Sequence, residues 1–164
     1  TSQSKRVGVL ATQYTVESEK FQRLVSQLKE QADSITALGC PGLVELIENP
    51  TTTNHELRAL LSSYIDQFEA ADIDTLALGC THYGFVEEQI NGFFNKPVKV
   101  IDTSQSIAHE IERRLSAQDL LSSSNQKGSV ELLTTSTDTD ALKALANRLI
   151  QFEGEVTHVE VPQC

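Results

Sequence analysis

Leu76-Ala77-Leu78-Gly79-Cys80-Thr81-His82-Tyr83-Gly84 is the stretch on which the reading of this chain turns. The apolar run Ile73 to Leu78 has the length of a short buried strand. Gly79 ends it and permits a sharp turn. Phe85 to Phe94 then reads as a helix, so Cys80, Thr81 and His82 fall on a strand-to-helix turn. In open α/β sheets ligands bind outside the carboxyl ends of the strands, which is where this turn lies. A helix N-terminus and a neighbouring histidine both favour a thiolate, and Thr81 offers a hydroxyl and an N–H to an anion. The plain alternative is that Cys80 is a small apolar core residue, as free cysteines often are.

Elsewhere in the chain, Arg6 to Ala11 reads as a first strand, with Thr12 and Thr15 just beyond its carboxyl end. Two hydroxyls there suit a carboxylate, and threonine is equally a helix N-cap. Ser18 to Ala32 is a helix candidate, with Phe21, Leu24, Val25 and Leu28 on one face. Ser34 to Leu38 is a second strand. It runs into Ala37-Leu38-Gly39-Cys40, a tetrad that recurs at Ala77 to Cys80. Cys40 precedes Pro41, has no histidine beside it, and reads as structural. Leu43 to Ile47 is a buried apolar run that ends at Glu48. By residue type alone Glu48 is a surface carboxylate. His55 to Ala71 is a longer helix with a wide apolar stripe from Leu57 to Phe68. Val98 to Ile101 is a fourth strand ending at Asp102. A helix follows over Thr103 to Leu121, with Ile107, Ile111 and Leu115 inward and Thr103 or Ser104 capping it. Leu121 to Gly128 has linker composition. Strand, helix and strand follow at Ser129 to Thr134, Asp138 to Phe152 and Glu155 to Val161. Thr1 to Lys5 reads as a frayed start.

The chain has 164 residues, of which 39% are hydrophobic and 22% charged, as in a globular domain with a real core. A formal net charge of −10 argues against nucleic acid and anionic membrane as partners, though not against an acidic small molecule held by local donors. The three cysteines show no metal-ligand spacing, so no metal is expected. With no signal peptide and no apolar run of spanning length, a reduced, cytoplasmic setting is expected.

Several segments together resemble the aspartate/glutamate racemases, and glutamate racemase in particular. Gly79-Cys80-Thr81-His82-Tyr83 is similar to that family's second cysteine motif. Gly8 to Thr12 with Thr15-Val16, Gly39-Cys40-Pro41 with Val44, Ile47 and Glu48, and Val100-Ile101-Asp102-Thr103 are similar to three further segments, in the right order. Gly84 departs from the family's usual proline. The resemblance implies an α/β fold, an open parallel sheet flanked by helices, with a C-terminal β-α-β extension. Residues 1–102 would form a lobe carrying the second catalytic cysteine, and 103–164 a helix, linker and β-α-β segment completing the other lobe. The family's first cysteine and aspartate belong to a lobe preceding this segment, so the chain resembles the C-terminal portion of such an enzyme, inactive alone.

The function so implied is cofactor-independent racemisation of L-glutamate to D-glutamate for peptidoglycan synthesis. The resemblance assigns Cys80 to the face of the α-carbon that handles L-glutamate, with His82 assisting it and Glu48 orienting His82. It gives substrate contact to Thr81 and, more weakly, to Thr15. The histidine after Cys-Thr favours glutamate over aspartate, because the aspartate enzymes usually place glutamate there. Rival readings are an aspartate or other amino-acid racemase, a hydrolase or lyase with Cys80 as nucleophile, and a binding module without chemistry. The substrate is a small molecule, and an unpaired strand edge admits a homodimer.

Overall fold

The computed structural model describes residues 2–124 and 128–161. It divides into two compact units, Thr1–Leu120 and Leu121–Cys164. The first has the element order β1 (Arg6–Ala11), α1 (Gln13–Glu17), α2 (Glu19–Leu28), β2 (Ser34–Gly39), α3 (Leu43–Glu48), α4 (Asn54–Ala70), β3 (Thr75–Leu78), a 3-10 turn (Tyr83–Val86), α5 (Glu87–Asn91), β4 (Lys99–Asp102) and α6 (Thr103–Ala117). The four strands form one sheet in the order β2-β1-β3-β4, with every neighbouring pair parallel. Register is fixed at the carboxyl edge, where Ala11 lies beside Gly39, Leu10 beside Leu78, and Leu78 beside Asp102.

The strands form where apolar and β-branched residues run between polar ones, as expected for a parallel sheet covered by helices. The chain runs outward from β1 to β2 and back past β1 to β3, and by the right-handed crossover rule connections in these two directions carry their helices to opposite faces. The α4 face is dry. Leu57, Leu61, Ile65 and Phe68 of α4 are buried, as are Leu10, Leu76 and Leu78 of the sheet. The helix and sheet meet so closely at Gly8 that a Cβ there would lie 2.6 Å from the Ile73 side chain and 3.0 Å from Phe68. At its start, α4 is fixed by a capping box: the Thr53 hydroxyl accepts from Glu56 N–H while the Glu56 carboxylate accepts from Thr53 N–H.

Several helices differ from the sequence expectation. Thr12 and Ser18 each cap a helix, so a separate short helix α1 stands between β1 and α2. Phe85–Phe94 is not one helix, because the chain first makes the 3-10 turn and α5 then stops at Gly92. On α6, Ile107, Ile111 and Leu115 are not inward but 52%, 53% and 36% exposed, and α2 likewise buries no residue fully. A periodic apolar stripe reports the face a helix would bury, not whether the same chain supplies the cover. The cap of α6 is Asp102, which accepts from Ser104 N–H, rather than Thr103 or Ser104.

Thr1 lies outside the described residues, and Ser2 to Ser4 are tied down rather than frayed. The Asp74 carboxylate accepts from Ser2 Oγ at 2.6 Å and from the backbone N–H groups of Gln3 and Ser4 at 2.7 and 2.6 Å.

In the second unit, β5 (Leu132–Thr134) and β6 (Val156–His158) form a parallel pair connected through α7 (Thr139–Ile150). Both strands are shorter than the sequence suggests. Part of the linker, residues 125–127, and Cys164 lie outside the described residues. No helix among those described is long and apolar enough to cross a membrane.

Candidate functional site

Strand order reverses at β1: the chain leaves it for β2 on one side and returns to β3 on the other. At such a switch point the loops after the two central strands part and leave a crevice at the carboxyl edge. Directly after β1, Thr12 caps α1 and Thr15 lies within it, and the turn after β3 carries Cys80, Thr81 and His82. A third segment reaches the same place, because α3 ends at Glu48.

Cys80 Sγ lies 4.0 Å from His82 Nδ1, and His82 Nε2 lies 2.8 Å from Glu48 Oε1. Glu48 is 34 residues from His82 in sequence, so only the fold brings them together. An ionised carboxylate can only accept, so the short Glu48 contact requires His82 Nε2 to carry a proton. In the neutral ring this leaves the Nδ1 lone pair facing the thiol, ready to accept its proton. The His82 and Glu48 side chains are 30% and 45% exposed, and Cys80 is half-buried. The relay therefore opens to solvent on one side, as a site that admits a small molecule must.

The turn itself is anchored. Tyr83 N–H donates to the Cys80 carbonyl at 3.1 Å, and Gly79 N–H donates to the Leu10 carbonyl at 2.8 Å. The Tyr83 side chain is fully buried, with its hydroxyl 3.2 Å from the carbonyl oxygens of both Ala11 and Cys40. Gly84 backs onto Asp102, where a Cβ would lie 2.9 Å from a carboxylate oxygen. That close approach suits a residue without a Cβ at this position.

Cys40 is the counterpart of Cys80 in the repeated tetrad, and its setting is the reverse. It is 2% exposed, and burial pushes its thiol up to about 11, against a smaller opposing hydrogen bond from Tyr64. A thiol held protonated in this way is inert.

Of the residues singled out in the sequence, the structure joins Cys80, His82 and Glu48 in one chain of contacts and leaves Thr15 and Thr81 outside it. Thr81 is exposed on the turn between Cys80 and His82. Thr15 lies on α1, its hydroxyl 2.8 Å from that of Thr12. It also lines a groove of about 690 Å³ with Ser18, Phe21 and Leu24, a cavity that does not include Cys80. Tyr83 belongs to the motif read in the sequence but receives no role there, since a tyrosine beside the histidine reads as ordinary packing. Among the described residues, no group of three His, Cys, Asp or Glu side chains is placed to hold a metal ion.

Comparison with known proteins accords with this geometry. Glutamate racemase of Herpetosiphon aurantiacus is 39% identical over 129 residues, covering 79% of this chain and 50% of that protein. Glutamate racemase of Pseudomonas putida strain GB-1 is 45% identical over 115 residues, covering 70% and 43%. The chain thus spans about half the length of the curated relatives it matches. Among solved structures, a glutamate racemase isoform from Bacillus anthracis superposes with a TM-score of 0.86 at 24% identity, over 98% of this chain and 59% of that one. The glutamate racemase of Francisella tularensis in complex with D-glutamate gives a TM-score of 0.78 at 24% identity, over 96% and 57%. At that identity the superpositions establish the fold. The family model described as Asp/Glu/Hydantoin racemase matches residues 1–111, a span that holds the whole parallel sheet and the Cys80–His82–Glu48 relay, and the chain belongs to that family.

Proposed function

We propose that this chain supplies one of the two acid–base faces of a cofactor-independent glutamate racemase. The observation that carries the reading is the relay from Cys80 through His82 to Glu48 at the switch point of the sheet. The α-proton of an amino acid is weakly acidic, and inverting the centre requires a base on one face and an acid on the other. Cys80 takes the first role toward L-glutamate. His82 Nδ1 accepts the thiol proton, the thiolate removes the α-proton, and a thiol on the opposite face returns one. Glu48 holds the tautomer of His82 that makes this transfer possible. Thr81, with an exposed hydroxyl and backbone N–H beside the thiol, holds a substrate carboxylate, and Thr15 contacts substrate from the β1 side. Glutamate as substrate is supported by the relatives and by the Francisella enzyme, whose structure holds D-glutamate. D-glutamate made in this way serves peptidoglycan synthesis in the cytoplasm.

The second base would come from the family's other lobe, and residues 1–102 with their four strands supply the lobe that carries Cys80. The test is glutamate racemisation by this chain alone and after addition of the other lobe from the Pseudomonas putida relative. The chain alone leaves L-glutamate unracemised, while the mixture made in deuterated water forms D-glutamate carrying deuterium at the α-carbon, and Cys80→Ser abolishes exchange of the L-glutamate α-proton. Robust racemisation by the chain alone, or normal exchange by the Cys80→Ser mixture, would overturn the reading. A trapped acyl or thioether adduct on Cys80 would indicate nucleophilic chemistry instead.

A further inference from the structure

We propose that Tyr83 is a positioning residue for the Cys80–His82 pair: its buried hydroxyl, hydrogen-bonded at the ends of β1 and β2, sets the turn that aims His82 Nδ1 at the Cys80 thiol. The inference rests on the reading of Cys80 as an acid–base group. Tyr83 is joined to the turn at one end and to the sheet at the other. Its backbone N–H donates to the Cys80 carbonyl at 3.1 Å, and it directly follows His82. Its hydroxyl is 3.2 Å from the Ala11 carbonyl, at the end of β1, and 3.2 Å from the Cys40 carbonyl, just past β2. A buried hydroxyl must find an acceptor, and here two carbonyls share one O–H. Ala11 O already accepts from Cys40 N–H at 2.9 Å, so the hydroxyl caps a junction between two strands rather than filling a gap. Burial, and then the negative charges that Cys40 and Cys80 would carry as thiolates, hold the phenol well above its usual range. The hydroxyl therefore remains a donor while Cys80 changes charge. Packing alone would ask only for the ring.

The test uses the whole chain and needs no racemase activity. The rate of Cys80 alkylation by iodoacetamide is followed from pH 5 to 10, with the modified peptide identified by mass so that the other cysteines do not contribute. Tyr83→Phe keeps the ring and removes the donor. The expected result is a Cys80 alkylation rate lowered roughly fivefold at pH 7, the equivalent of one neutral hydrogen bond, with a displaced pH profile. Tyr64→Phe, which removes a hydroxyl near Cys40, leaves that profile in place. A Tyr83→Phe chain that melts at lower temperature but keeps the parent's Cys80 profile overturns the proposal, since that is the signature of packing. Should Tyr83→Phe fail to fold, 4-fluorophenylalanine in place of Tyr83 fills nearly the same space without a donor, and an unchanged profile there is equally fatal. His82→Gln separates the two readings. A profile unmoved by His82→Gln removes the relay itself, whereas one moved by His82→Gln and not by Tyr83→Phe removes only the role of Tyr83.

Discussion

Cys40 and Cys80 end identical Ala-Leu-Gly-Cys tetrads on the same sheet edge, on either side of β1, yet Cys40 is sealed and Cys80 is half-buried. The residues next in the chain decide the difference. Pro41 turns the chain so that Cys40 is sealed at 2% exposure, whereas Thr81 and His82 leave Cys80 half-buried beside an imidazole. Cys80 and His82 are legible in the sequence because they stand close together on one turn. Glu48 is not legible from residue type, which favours a surface carboxylate. Only the family resemblance singles it out, and the 2.8 Å contact with His82 is a product of the fold. Glu48→Gln therefore makes a sharp prediction for the assembled enzyme. The amide keeps the side chain's shape but can present its Nε2 to the ring, which permits the wrong tautomer. Turnover should fall about 10–100-fold, the scale seen when a partner orienting a histidine is lost in metal sites. The melting temperature should hardly move, because the Glu48 side chain is 45% exposed. Unchanged turnover across the pH range would leave Glu48 a surface carboxylate.

Among the elements, strands are easier to read than helices. Arg6–Ala11 has the bounds that its apolar run suggests, and Thr75–Leu78 lies within the run Ile73 to Leu78, because a parallel strand must bury both faces and so leaves an unbroken signal. The helix after β1 hides in the sequence because Thr12 and Ser18 are both good caps, and only the structure shows both in use. The α6 stripe is apolar, as its periodicity implies, but it is not covered. Gly8 illustrates a constraint that no periodicity reveals. It lies mid-strand where Ile73, Leu76 and Phe68 converge, and all three are fully buried with nowhere to retreat. Gly8→Ala should destabilise the lobe by about 1–3 kcal/mol, the usual cost of an extra methyl in a packed core. Urea unfolding reads this directly, and equal midpoints would mean that the α4 face has slack.

For the whole molecule, charged and buried groups predict how stability varies with pH. Asp74 is held well below the usual carboxylate range, first by the Ser2 hydroxyl and then by the Ser4 backbone N–H. Glu110 is lowered to about 2 by Arg113 and Arg114. Each prefers its charged form in the folded chain, so the stabilisation is complete above the ordinary carboxylate pKa of about 4 and is lost as pH falls below it. Cys40 has the opposite sign. Raised from 9.0 to about 11, it favours the folded state fully below pH 9 and loses that contribution as pH rises through 11. Urea midpoints should therefore decline at both ends, and Cys40→Ala should flatten the decline between pH 9 and pH 11. An alkaline limb identical to the parent's would mean that Cys40 does not drive it.

The central place of β1 also sets the order of events in unfolding. This strand is bonded to β2 along one edge and to β3 along the other, with Arg6 opposite Ser34 and Val7 opposite Thr75. Take it away and the sheet falls into a lone β2 and a β3–β4 pair, with no ladder between them. β2 and β4 can fray outward while the rest persists, but β1 can leave only when everything leaves. Its amides, those of Val7 and Val9 included, should thus be the last to trade hydrogen for deuterium, and the clock they keep is that of global unfolding.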